Sequence, residues 1–324
     1  MKEVTETSPG DVQLRSADSA SQAASMMRCF KLDTENYCLG LGFVNQLPTG
    51  EQRHALMDQP SERSAADAGV EQDIATGDLT PAQLVAQRAA LPKSQRVTIE
   101  LDEMQAAWNG RDKARELREL AASTTPATTT PATTPATPAA PVAPASAYIM
   151  KGFQTSQEKG YWCGPATFQS IDWADDNQKD TQASWAKDLG ATTSGTAISA
   201  MVQQTNLKTA WPKAAGSYIV QSVSTWNAQT FLAVHEKHLG VYKAPVIEHV
   251  QLLKRYFPYL AFNHSGHYQV GRGYDKAKGT IGIYEVFNER RFNSRGNVTD
   301  GPKNIPATAL FNATLANSFK NIGL

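Results

Sequence analysis

Between Ser123 and Ala147 the chain runs through a segment built only from Pro, Thr, Ala, Ser and Val, with six prolines and no charge. Such a stretch has no large apolar side chain to bury, and its prolines remove the donors a helix or sheet needs, so it reads as an extended linker. It divides the chain into 1–122, the linker 123–147, and 148–324. Of the six tryptophans, ten tyrosines and eleven phenylalanines, only Phe30, Tyr37, Phe43 and Trp108 precede Tyr148. The core therefore belongs to residues 148–324, a length at which one domain is comfortable.

Residues 1–122 are expected to be partly disordered and poorly structured. The first 27 are polar and rich in Ser and Ala, and the patch Tyr37–Val44 is their only compact apolar neighbour. Thr80 before Pro81 suits a helix start, and Leu101, Met104, Trp108, Ala114, Leu117 and Leu120 follow a broken helical period. A pro-segment, a weak helical binding module and a disordered arm all stay open for this region.

Lysine plus arginine and aspartate plus glutamate balance at 31 each, which argues against nucleic acid as a partner. No stretch has the ~20 consecutive apolar residues of a membrane span, and the N-terminus carries no apolar signal segment. The Pro/Thr-rich spacer and the Cys29/Cys38 pair nevertheless point to an extracellular or cell-envelope setting, with cell-wall or surface association through the linker. Cys29 and Cys38 read equally well as a small disulfide loop or as two reduced thiols.

In the C-terminal part, helical pattern follows Cys163 and recurs at Ile198–Val202 and Ala228–Leu239. Strand pattern follows at Ala244–Ile247, Tyr268–Tyr274 and Thr280–Phe287, the last two joined by a polar loop ending in Gly279, as in a hairpin. Helices first and antiparallel strands second describe an α+β fold.

Cys163 is the cysteine left over. The Gly164-Pro165 that follows places it at a helix N-terminus, where the dipole and free N–H groups lower a thiol pKa to roughly 3.5–7.5. The bland alternative is a buried free thiol. Six histidines compete as its base. His267 stands at the mouth of a strand, with His264 as the weaker choice, whereas His235 and His238 share a helix face and read as surface or core residues rather than metal ligands. An acceptor for the imidazole would come from Glu285 or Asn288 on the returning strand, which have opposite parity, so that one of them faces His267. The Cys163 N–H and the side-chain amide of Gln157 are the candidate oxyanion donors, with Gln154 further upstream.

These residues carry a resemblance. Gln157-x5-Cys163-Gly164-Pro165-Ala166, followed by Gly266-His267-Tyr268-x-Val270-x3-Tyr274-Asp275, resembles the double-glycine branch of the papain-like cysteine peptidases, above all the stand-alone peptidase C39-like domains, over residues 148–324. The resemblance implies a papain-like fold of N-terminal helices packed on an antiparallel sheet. It also implies a Cys163 nucleophile, a His267 base, Gln157 in the oxyanion hole, a peptide or protein substrate, and no metal or organic cofactor. The acidic orienter of the family is an Asp; here the matching position is Glu285, so either the site is rebuilt around the longer side chain, or Asn288 serves, or the triad is incomplete. A catalytically inactive binding module and an amidase acting on cell-wall peptides are the competing readings.

Overall fold

A computed structural model describes residues 1–58, 77–124 and 142–324. Most of the expected linker thus lies outside the described residues.

The N-terminal part is folded where it is described. Helices α1 (Lys2–Thr7), α2 (Asp11–Ser16) and α3 (Ser19–Met26) lead into a meander of β1 (Cys29–Leu32), β2 (Glu35–Cys38) and β3 (Gly42–Val44), followed by α4 (Gly50–Asp58). The expectation of a poorly structured start is corrected: the apolar side chains are few, but Val4, Leu14, Ala23, Met26 and Met27 are all buried. Arg28 and Arg96 fasten the helices by donating to the carbonyls of Val4 (2.9 Å) and Pro9 (2.6 Å). Low apolar content misleads here because each apolar residue packs against elements remote in sequence.

Helix α5 (Pro81–Ala90) begins with a reciprocal capping box, in which the Thr80 hydroxyl accepts from the Gln83 N–H (3.2 Å) and the Gln83 side chain accepts from the Thr80 N–H (2.9 Å). Helix α6 (Lys93–Thr124) runs through the whole stretch whose periodicity looked broken. It is held to the meander by polar bonds: Glu103 accepts from the Tyr37 hydroxyl (3.1 Å) and the Gly40 N–H (2.6 Å), and Arg118 pairs with Glu35 at 2.7 Å. The β1–β2 register sets Cys29 directly opposite Cys38, and the two form a disulfide.

The remaining elements are β4 (Ser146–Tyr148), α7 (Cys163–Asp176), α8 (Gln182–Asp188), α9 (Ile198–Lys208), α10 (Trp211–Ala215), β5 (Val220–Ser222) and α11 (Ala228–His235), which runs into a π-turn at Glu236–Val241. Then come β6 (Val246–Gln251), β7 (Gly266–Asp275), β8 (Thr280–Glu285), α12 (Glu289–Phe292), β9 (Gly301–Pro306), α13 (Ala307–Ala316) and β10 (Asn321–Gly323). Strand β4 starts inside the segment read as linker.

One 10-stranded sheet runs β1-β2-β3-β5-β10-β6-β7-β8-β9, with β4 also on β7. Its pairs are antiparallel except for the junction of β3 with β5, where Phe43 meets Gln221 in parallel. The β7–β8 hairpin turns at Gly279 (φ +60°), which supplies the left-handed residue such a loop needs. Sheet and core ignore the division at residue 122, since Phe30, Leu39, Met104 and Leu117 share one apolar cluster with Ile219, Val250, Phe287 and Ile305. Helices and strands in this order make a mixed α/β chain of the expected α+β kind. Among the described residues no helix is long and apolar enough to cross a membrane.

Two contacts position the candidate site. Helix α7 lies on β7, with Phe168 and Ile171 in one cluster with Tyr268, Val270 and Tyr284, and the Thr167 hydroxyl donates to the Tyr268 carbonyl at 3.1 Å. The start of α7 and the start of β7 are thereby brought together.

Candidate active site

Cys163 is the first residue of α7, preceded by Trp162 at the cap. Its thiol is completely buried. Burial pushes the thiol pKa well above its ordinary value, and the negative charge of Asp78 adds to the rise; the backbone N–H groups of Tyr268 and Gly164 pull the other way without offsetting it. The expected low-pKa thiol is therefore corrected for this state of the molecule. A helix N-terminus favours a thiolate only while solvent or a cation shares the charge, and here an acidic side chain stands nearby instead.

His267, second residue of β7, is also fully buried. Its Nε2 is bonded to Glu285 Oε1 at 2.7 Å, across the β7–β8 hairpin. Among the described residues its buried Nδ1 has no hydrogen-bond partner. Since one nitrogen is taken by the carboxylate, Nδ1 is the one left for a reacting group. Buried Nδ1 atoms rarely go unsatisfied in a finished structure.

Glu285 closes β8 with both oxygens engaged. Oε1 also accepts from the Phe287 N–H (2.8 Å), and Oε2 accepts from the Tyr259 hydroxyl (2.8 Å) and the Gln269 amide (2.7 Å). Burial, the largest single influence, pushes the carboxyl pKa up. The charge of His267 and the hydrogen bonds from His267, Phe287 and Tyr259 outweigh it, and the group stays ionised below its usual range. A buried carboxylate with this donor set holds the imidazole in one tautomer and one orientation.

Asn288 is not part of this arrangement. Its Oδ1 caps α12 by accepting from the Arg290 N–H (3.1 Å), and its Nδ2 donates to Asp300 (2.9 Å). The strand ends at Glu285, which faces His267, and Asn288 lies beyond it as the cap of the helix it begins. Gln157 is buried and its N–H is tied to the Val286 carbonyl at 2.7 Å, beside Glu285. Both hydrogens of its amide are spent on the carbonyls of Lys159 and Gly160, each at 2.9 Å. In this conformation it shapes the loop into α7, with both amide hydrogens committed. Gln154 donates to the neighbouring Thr155 carbonyl.

Three other histidines are held in structural contacts. His264 Nε2 pairs with Glu289 at 2.7 Å, and that carboxylate also accepts from the N–H groups of Ala261, Phe262 and Asn297, closing two loops around it. His235 pairs with Glu248 at 2.7 Å, and His238 bonds the Ala244 carbonyl at 3.0 Å. Among the described residues no group of three or more His, Cys, Asp or Glu is placed to hold a metal ion.

Several site residues escape a reading of the sequence. Gln269 stands two positions after His267 on β7, so strand parity could have found it. Tyr259, in a loop, and Asp78, remote in the N-terminal part, carry no local signal. Asp78 reaches the site because Gly266 lacks a side chain: a Cβ there would lie 1.8 Å from Asp78 Oδ2.

The arrangement offers a thiol at a helix start, an imidazole with one nitrogen uncommitted, and a buried ionised carboxylate orienting it. These are the parts of nucleophilic acyl transfer. Residues 153–298 match the Peptidase C39 like family. No curated protein and no solved structure matches the chain. The matched residues, a little under half of the chain, are similar to a C39-like peptidase domain.

Proposed function

We propose that the protein is a cysteine peptidase of papain-like architecture that hydrolyses peptide amide bonds through a thioester acyl-enzyme. The observation that carries this reading is the His267–Glu285 bond of 2.7 Å together with the unpartnered, buried Nδ1 of His267, at the strand whose next residue, Tyr268, directs its backbone N–H at Cys163. His267 takes the thiol proton at Nδ1, the sulfur attacks the amide carbonyl, and the imidazolium returns the proton to the leaving amine. Water then hydrolyses the thioester with His267 as base. Glu285 stays ionised throughout and steadies the imidazolium. The Cys163 N–H, at the first turn of α7, is the oxyanion donor on the main chain. Gln157 joins it only after its amide turns away from Lys159 and Gly160. The Cys29–Cys38 disulfide supports an extracellular or envelope setting, where such bonds persist.

Hydrolysis of a denatured protein by the full chain, scored by mass spectrometry of the fragments, tests the reading. Cys163→Ala is expected to abolish every cleavage, by at least about 10³-fold. Cleavage that survives in Cys163→Ala at the wild-type rate sinks it.

A further inference from the structure

The segment Gly77–Leu79 packs between the Thr196 loop and the start of β7. The Thr196 N–H donates to the Gly77 carbonyl (2.9 Å) and the Leu79 N–H to the Thr196 carbonyl (3.3 Å), a parallel bridge centred on Asp78 and Thr196. Thr196 is itself seated on the nucleophile helix, where a Cβ on Gly164 would meet its side chain at 2.7 Å. Gly77 (φ +109°) passes so close to the residue before Trp162 that a Cβ on it would lie 2.2 Å from the Tyr161 carbonyl oxygen. The strip is thus pressed between the Thr196 loop, the entry to α7 and the start of β7.

Asp78 ends in a receptor of its own. Its Oδ2 accepts from His249 Nε2 (3.0 Å) and Asn317 Nδ2 (2.9 Å), and lies over the bare Cα of Gly266, next to His267. Both donors are buried and held from behind. His249 is stacked between Tyr268 and Phe319, with Nδ1 bonded to Asn321 Oδ1 at 2.8 Å; Asn317 accepts the Phe319 N–H at 3.0 Å. Asn321 Nδ2 is committed to the Leu41 carbonyl (3.1 Å), which leaves its Oδ1 toward the ring. Both nitrogens of His249 therefore face oxygens, one of them a carboxylate oxygen of Asp78. Without Asp78, these donors would stay buried with no partner at Nε2, a condition that a second carboxylate would relieve.

We propose that His249, Asn317 and the bare Gly266 form a carboxylate subsite next to the catalytic pair, that Gly77–Leu79 occupies it as a resident ligand, and that the substrate class is an extended peptide with an acidic side chain. This rests on reading Cys163 and His267 as an amide-hydrolysing centre. A substrate enters by displacing the strip, taking over its bonds to Thr196 and its carboxylate contacts. The chain is closed until that exchange occurs, in keeping with the full burial of Cys163 and the acidic neighbour that disfavours its thiolate.

The test follows alkylation of Cys163 by iodoacetamide in the full chain, mapped by mass spectrometry. Asp78→Ala and Gly77→Ala disturb the strip at two points, so loss of fold in one leaves the other. Each is expected to raise the alkylation rate by about tenfold or more, Asp78→Ala by losing its charge-assisted contact and Gly77→Ala by the clash of its Cβ with the Tyr161 carbonyl. In Asp78→Ala, acetyl-Gly-Asp-Leu-amide is expected to protect Cys163 at a concentration about tenfold or more below that of acetyl-Gly-Asn-Leu-amide. Unchanged alkylation in both folded variants overturns the resident strip, and equal protection by the two peptides overturns the carboxylate subsite. Faster alkylation and selective protection in a chain that cleaves no amide would keep the subsite and remove the peptidase.

Discussion

At the scale of single residues, the choice between Glu285 and Asn288 separates an orienting group from a helix cap. Glu285→Gln keeps the volume but replaces an ionised acceptor with an amide of one oxygen, so His267 loses its charged partner and either the His267–Phe287 side or the Tyr259–Gln269 side meets an NH2 instead of an oxygen. Hydrolysis is expected to fall by about 10²–10⁴-fold, the range seen when the acceptor of a catalytic imidazole is neutralised. Asn288→Ala is expected to cost ~1 kcal/mol of stability through the lost cap and to leave kcat/KM within about a factor of two. A large activity loss in Asn288→Ala with Glu285→Gln near normal would reverse the assignment. Cys163, His267 and Glu285 were legible because each sits at a point where local pattern changes: a helix start, a strand start, a strand end. Asp78 was not, since its place depends on a chain reversal that no local periodicity records, and on the missing side chain of Gly266.

At the scale of elements, the β1–β3 meander and α6 show how a region with few aromatics becomes part of a common sheet. Residues on β1 and β2 alternate between the disulfide, the Tyr37–Glu103 bond and the Glu35–Arg118 pair, so the meander is fastened on both faces. Breaking the disulfide frees a loop with a sequence separation of 9. For a loop of that length the chain-entropy account gives a loss of ~2.5 kcal/mol, so the Cys29→Ser/Cys38→Ser double variant is expected to unfold at lower urea with an unchanged slope. A midpoint equal to that of the parent would show that the ion pairs alone hold the meander. Among the strands, β7 and β8 were legible because they are long, joined by a Gly-ended loop, and rich in β-branched and aromatic residues. Strands β5 and β10 have three residues each, too few to show any period, and they exist because the flanking sheet offers them a partner. The same holds for β4, whose Ser146–Tyr148 pairs with the far half of β7, where β6 has already ended.

At the scale of the whole molecule, three buried carboxyls, Glu285, Glu289 and Asp172, make opposite demands on pH. Glu285 and Glu289 are both held below the usual carboxyl range. In each, burial raises the pKa most but is outweighed, by His267 and several donors for Glu285 and by the bonds from His264 and backbone N–H groups for Glu289. A depressed folded pKa stabilises the chain above the unfolded value, about 4.3 for Glu, and the gain is lost as the pH falls through the folded value. Asp172 on α7 behaves in the opposite sense. Burial first, then the charges of Asp176, Asp180 and Asp175, push it up to about 7. These acids also gather toward the C-terminal half of α7, where the helix dipole disfavours negative charge. Between about pH 4 and 7 the folded chain holds a proton on Asp172 that the unfolded chain gives up, so this group makes stability fall as the pH rises through that window. Asp172→Asn removes the titration while keeping the shape. The melting temperature of the variant is expected to exceed that of the parent by a few degrees at pH 8 and to match it near pH 4, where both side chains are neutral. An equal gain at both pH values would assign the change to packing rather than charge, and no gain at pH 8 would mean that Asp172 ionises freely in the folded chain.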